Sequence, residues 1–233
     1  MTVPAMSFTY LLINLFTILV PLTRSFEERL AFYKKWKYFL PATLITACFF
    51  ISWDIIKTAY GVWGFNNSYI LGPRLFYLPL EEYLFFITVP YACLFIYETL
   101  SLFYKPVRAG RVFTGLIRIV ALILIVSSGL FWGKAYTFSV MLIAGLIVLA
   151  ASYIVSAWVM QKILITYLIS LVPMLAVNGL LTGLPVVIYN NHQNLGIRIG
   201  SIPVEDFIYN AALLYMNIAL YEYFKHKYPA AKP

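Results

Sequence analysis

The sequence predicts an all-α, polytopic membrane bundle of seven transmembrane helices, built from two parallel three-helix repeats joined by a linker helix. Three observations carry that expectation. The 233 residues are 62% hydrophobic and only 11% charged, with a mean hydropathy of +0.84, which is more apolar surface than a water-soluble core can hide. Seven mostly apolar runs approach the roughly 20 residues that span a bilayer. A set of polar, Gly and Pro residues also recurs when the chain is slid against itself by 124 positions.

In order, the runs cover residues 5–22, 38–56, 80–102, 113–132, 136–158, 163–181 and 204–223. The first has no charged segment ahead of it and no small-residue cleavage site, so it reads as a helix rather than a signal peptide. Seven spans put the termini on opposite sides of the membrane. Twelve Lys/Arg fall in the loops and tail of one side, from 24 to 37, from 105 to 111, at Lys162 and at Lys225, Lys227 and Lys232. Only Lys57, Arg74, Lys134 and Arg198 fall on the other. Cytoplasmic loops are the Lys/Arg-rich ones, so the N-terminus is expected outside and the C-terminus in the cytoplasm, in the cell (inner) membrane.

The formal charge of +8 is therefore loop charge, and no nucleic-acid partner is expected, because no basic helix or nucleic-acid motif accompanies it. Aromatic residues, 18% of the chain, suit interfacial belts or a pocket for a long apolar or cationic ligand. Cys48 and Cys93 lie in apolar runs without metal spacing and read as small buried hydrophobes; no metal is expected.

At the 124-residue shift Thr58 meets Thr182, Asn66-Asn67 meets Asn190-Asn191, and Leu71-Gly72-x-Arg74 meets Leu195-Gly196-x-Arg198. Further along, Pro79-x-Glu81 meets Pro203-x-Glu205 and Tyr97-Glu98 meets Tyr221-Glu222. Chance likeness of apolar helices would give Leu and Ile matches instead. Three helices is an odd number, so copies joined directly would point in opposite directions, and the fourth helix restores parallel orientation. The expected units are a first repeat at 1–104, a linker helix at 105–134 and a second repeat at 135–233, related by an axis along the membrane normal.

The chemistry is expected at the outer level. Asp54 ends the second run and Glu81-Glu82 opens the third after Pro79; the equivalents are Asn178, Glu205 and Asp206 after Pro203. Ionisable residues inside a membrane are costly enough to suggest function. The structural alternative is helix-start grammar, with Pro at the first position and acids on the dipole; recurrence in both copies argues against it. Crowded carboxylates in an apolar site cannot all ionise, which supplies a protonated donor beside an ionised stabiliser. A cation formed there could be held by the other carboxylates and by aromatic faces such as Trp63, Phe85, Phe86, Tyr83, Phe207 and Tyr209, whose plainer use is packing. Arg74 and Arg198 either pair with the acids or anchor the interface. Glu98 and Glu222, some 25 Å along the helices, read as seam residues, and His192 as a solvated loop residue.

The string Pro79-Leu80-Glu81-Glu82-Tyr83-Leu84-Phe85-Phe86, with Pro203-Val204-Glu205-Asp206-Phe207 and Trp53-Asp54-x-x-x-Thr58, resembles the small membrane lycopene cyclases. In that family the two repeats occur as separate subunits or fused, and this chain looks like the fused form. The resemblance implies conversion of the acyclic ends of lycopene to β-ionone rings, giving β-carotene through γ-carotene, a redox-neutral isomerisation without a cofactor. It implies catalytic roles for Glu81, Glu82, Glu205 and Asp206, with Asp54 a further member. Asn178, Phe85, Phe86, Trp63, Arg74 and Arg198 are then expected to contact substrate.

Lycopene and other long apolar carotenoids, the lipid bilayer and other carotenoid-pathway enzymes are the expected partners. Two departures, Asn178 in place of an acid and the missing second Phe-Phe pair, imply unequal copies, with the first as proton donor. One composite pocket would then take the two substrate ends in turn.

Two rivals stand beside this. A related end-group hydratase would use the same cation, and a three-plus-one-plus-three transporter shares the topology but would carry its acids near the midplane. A retinal photoreceptor needs a lysine in the last run, and 204–223 has none.

Overall fold

The computed structural model describes residues 5–103 and 110–228. Seven α-helices lie among them: α1 Thr9–Arg24, α2 Trp36–Ala59, α3 Leu80–Phe103, α4 Arg111–Ser128, α5 Ala135–Ile154, α6 Ala157–Gly183 and α7 Val204–Lys227. The expected boundary at 104/105, and Lys105, Arg108 and Lys232 in the charge count, lie outside the described residues.

Six helices, α1 to α6, are long and apolar enough to cross a membrane. The seventh run of the sequence forms α7, which is not among them. Its polar load of Glu205, Asp206, Asn210 and Asn217 is buried, because α7 is packed against α2, α3, α5 and α6. Its polar groups face protein, where hydrogen bonds replace hydration.

Four elements recur with the same bounds at the 124-residue shift: α3 as α7, and the three short strands of the first half as the three of the second. β1 (Trp63–Phe65) pairs antiparallel with β4 (Val187–Tyr189), joining one half to the other through Trp63↔Tyr189 and Phe65↔Val187. β2 (Arg74–Leu75) with β3 (Leu78–Pro79), and β5 (Arg198–Ile199) with β6 (Ile202–Pro203), form two hairpins. All three ladders lie between the apolar runs, where strands of two or three residues are too short to show a period. Contacts follow the same order: α1 packs on α3 and α5 on α7, while α2 and α6 each touch both α3 and α7.

The recurring polar residues hold these connections. Asn66 and Asn190 accept from the N–H of Ser68 and His192, both at 3.0 Å. Arg74 and Arg198 donate to Asn67 and Asn191 at 2.7 and 2.8 Å. Gly61, at φ +65°, ends α2 in a left-handed turn in which Gly61 and Val62 donate to Thr58 and Lys57, the geometry a side chain resists.

At the far ends of α3 and α7, Tyr97 donates to Glu222 at 2.9 Å and Tyr221 to Glu98 at 2.8 Å, a crosswise clamp that Lys35 and Lys225 close on Glu98. These are the seam positions. Two details differ from the reading of the runs. α6 begins at Ala157, where Ser156 caps Val159, so Lys162 is a buried helix residue rather than a loop charge. Cys48 is exposed, on the outer face of α2.

Candidate active site

A cavity of about 950 Å³, its open mouth included, lies between α1, α3 and α6 and the adjoining ends of α2 and α7. The carboxyls of Asp54, Glu82 and Asp206 face it from three helices, although their residues are only 3%, 6% and 4% exposed. The β1–β4 ladder adds Trp63, Phe65, Val187 and Tyr189 to the wall. Much of the remaining lining is apolar, the usual make-up of a ligand site with a few convergent polar groups.

Local sequence places the acids. Pro79 and Pro203 precede the first turns of α3 and α7, and consecutive helix residues diverge by about 100°. One acid of each pair therefore meets the cavity while the other turns to the preceding loop. Glu81 accepts the Leu71 N–H at 2.6 Å, and Glu205 accepts the Leu195 N–H at 2.8 Å and the Thr137 hydroxyl at 2.6 Å. Their second oxygens are buried without a hydrogen-bond partner among the described residues.

The cavity-facing acids are wired differently in the two halves. Glu82 accepts from the Tyr10 phenol at 2.5 Å, and Asp54, which lines the same space, accepts from Tyr209 at 3.2 Å. Asp206 accepts from Tyr136 at 2.6 Å on one oxygen, and from Tyr189 at 3.0 Å and Asn178 at 3.3 Å on the other. Burial first, and then the Asp206 carboxylate, pushes the Tyr189 phenol well above its ordinary range, so it stays protonated and donates. Trp63, Tyr136 and Tyr189 pack as an aromatic cluster with ring centroids 5.0 to 6.0 Å apart.

The lycopene cyclase family model matches residues 7–100 and 133–224, both halves and most of the chain. The chain belongs to the lycopene cyclase family. No curated protein and no solved structure matches it. As a lycopene cyclase family member it is a membrane enzyme that acts on carotenoids, and the unmatched interval between the two regions contains α4.

In this family member the structure brings together Asp54, Glu82, Asp206, Asn178, Phe85, Phe86 and Trp63 around one space. Glu81 and Glu205 are buried beside it but not on it. Arg74 and Arg198 do not reach the acids: besides the asparagines they bind the carbonyls of Tyr77 and Ser201 at 3.0 and 2.7 Å. Tyr83 donates to the Leu75 carbonyl and is off the cavity.

Sequence reasoning missed Tyr10, Tyr136, Tyr189 and Asn210, all of which line it. Tyr10 and Tyr136 are counterparts in their bonds to Glu82 and Asp206, but they sit 126 positions apart. An ungapped 124-residue comparison pairs Tyr10 with Lys134 instead.

Proposed function

We propose that the chain is a lycopene β-cyclase, an isomerase that closes the acyclic ends of lycopene to β-ionone rings through γ-carotene. The observation that carries the reading is the pairing of two unlike carboxyl groups across one apolar cavity. Asp54 and Glu82 line the same buried, largely apolar space, and carboxyls crowded in such a site cannot both ionise, so one of them carries a proton. Asp206 has both oxygens engaged as acceptors of three donors, the arrangement of a carboxylate.

Glu82, with Asp54 behind it, therefore protonates the terminal alkene. The resulting cation is attacked by the neighbouring double bond, and an ionised acid, Asp206, removes the proton that sets the ring alkene. One proton enters and one leaves, so the step is redox-neutral. Between the two transfers the cation is stabilised by the carboxylate and by the faces of Trp63, Phe85 and Tyr209. Glu81 and Glu205 act one step back, anchoring the loops over the site.

In this reading α7 is the seventh span, its polar groups turned into the bundle. The halves, 1–104 and 135–233, are parallel repeats joined by the linker helix of 105–134. The acids then lie near the outer boundary, with the N-terminus outside and the C-terminus cytoplasmic. Pigment analysis of a lycopene-accumulating bacterial host expressing the chain tests the function. β-Carotene, with γ-carotene at early times, is expected; a hydroxylated acyclic product would mean that water reaches the cation, and unchanged lycopene with well-folded protein would refute the reading.

A further inference from the structure

The cavity does not end at the carboxyls. It continues along α3 from Glu82 to Ile96, about 21 Å at the helical rise of 1.5 Å per residue. Thr17 of α1 and Pro173 of α6 flank this extension; Pro173 is exposed and Thr17 and Ala92 are half-buried, so the channel meets the surface between α1 and α6. The residues beside that opening are apolar and outward-facing, Phe16 at 75% and Val172 at 73% exposure. Such a surface faces lipid rather than water.

In the other half bulky side chains occupy the corresponding positions, and the sequence says why. At the 124-residue shift, Pro173, Met174 and Val177 of α6 correspond to Phe49, Phe50 and Trp53 of α2. Phe50 and Trp53 are buried, with ring centroids 5.2 and 5.0 Å from Tyr209, and Phe50 also stacks on Phe86 at 6.4 Å. Where α3 lines the cavity as far as Ile96, α7 lines it only to Leu213, the equivalent of Val89.

We propose that the duplicated bundle keeps one substrate groove of two: a carotenoid slides from the bilayer between α1 and α6, end group first, while Phe50 and Trp53 fill the related groove between α2 and α5. The inference rests on the cyclase reading above, since it needs an apolar chain whose end must reach the carboxyls. Met174 and Val177 are then access-determining residues, because the adaptable thioether of Met174 and the small side chain of Val177 leave the groove open. The unreacted part of the polyene stays in the groove and the lipid beyond it. A molecule with two ends must leave and return reversed for its second ring.

The test obstructs the groove from two walls independently, Val177→Trp on α6 and Ala92→Phe on α3, with Val126→Trp on the exposed face of α4, away from the groove, as control. Each is purified in lipid-detergent micelles, checked for fold by gel filtration and circular dichroism, and assayed with lycopene for kcat and KM. At least a tenfold loss in kcat/KM, borne mainly by KM, is expected for both obstructed forms and none for the control. Ala92→Phe decides if Val177→Trp does not fold.

A folded obstructed variant that keeps half or more of the native rate overturns the single groove, for it would mean that substrate arrives from the α2–α5 side as well. A native chain that binds lycopene but closes no ring would overturn the cyclase reading itself. The two failures are distinguished by the native control.

Discussion

Replacing Glu82 by Gln separates the carboxyl that faces the cavity from the neighbour that does not. Gln keeps the shape of Glu, and its carbonyl can still accept from the Tyr10 phenol, now at 2.5 Å, so packing around the buried position is retained. What disappears is the acidic proton. A positioned general acid contributes about 10²- to 10⁴-fold, so kcat should fall by that factor, or about 3–5 kcal/mol of barrier at about 1.4 kcal/mol per tenfold.

The companion change Glu81→Gln leaves an oxygen to accept the Leu71 N–H, and its side chain is not on the cavity wall. Its rate should stay within about tenfold of native, ~1.4 kcal/mol. The assay is the initial rate of lycopene consumption by purified protein, with products resolved by chromatography and folding followed by thermal unfolding. A folded Glu82→Gln protein with more than a tenth of the native rate, or a Glu81→Gln protein that is the worse of the two, would refute the assignment of donor to Glu82.

Tyr189→Phe removes one of three donors on Asp206 and should lower kcat, with about 1.5–3 kcal/mol at stake for a hydrogen bond to a charged group; an unchanged kcat would show that Asp206 does not act as a carboxylate. Glu98→Gln weakens the clamp with Lys35, Lys225 and Tyr221. Breaking a buried pair costs about 3–5 kcal/mol, and roughly 2 is expected here because both lysines can turn to water, read as earlier thermal unfolding in detergent with kcat of the folded fraction unchanged. Gly145→Val puts a side chain where a Cβ would lie 2.6 Å from Ile125 and 2.7 Å from the Ala121 carbonyl. It should force α4 away from α5 at about 1–3 kcal/mol, and unaltered stability would show that this close crossing is not needed.

The membrane class, the helical runs and the buried acids were legible in the residues themselves, because hydropathy and the cost of burying charge are local properties of a chain. Family membership agrees with the Pro-x-Glu-Glu string and its second copy. The duplication could be read only where both copies kept the same spacing: the 124-residue shift carries Asp54, Glu81 and Glu82 onto Asn178, Glu205 and Asp206. It fails by two residues at α1, and with it went Tyr10 and Tyr136.

Which acid of each pair faces substrate was beyond sequence. Adjacent residues on a helix differ only in direction, and direction is set by what packs opposite. For the same reason Arg74 and Arg198, plausible partners for the acids by composition, are spent on loop carbonyls and asparagines. The strands β1 and β4 are too short to show a period, yet their pairing brings Trp63 and Tyr189 from opposite halves to one wall.

The sequence by itself thus determined the solvent this chain lives in and the chemical groups it carries inside. Only tertiary structure decided that Glu82 and Asp206, rather than Glu81 and Glu205, share the cavity, and that Phe50 and Trp53 fill the space their counterparts leave open, because burial, contact and the shape of a void arise only between segments distant in the chain.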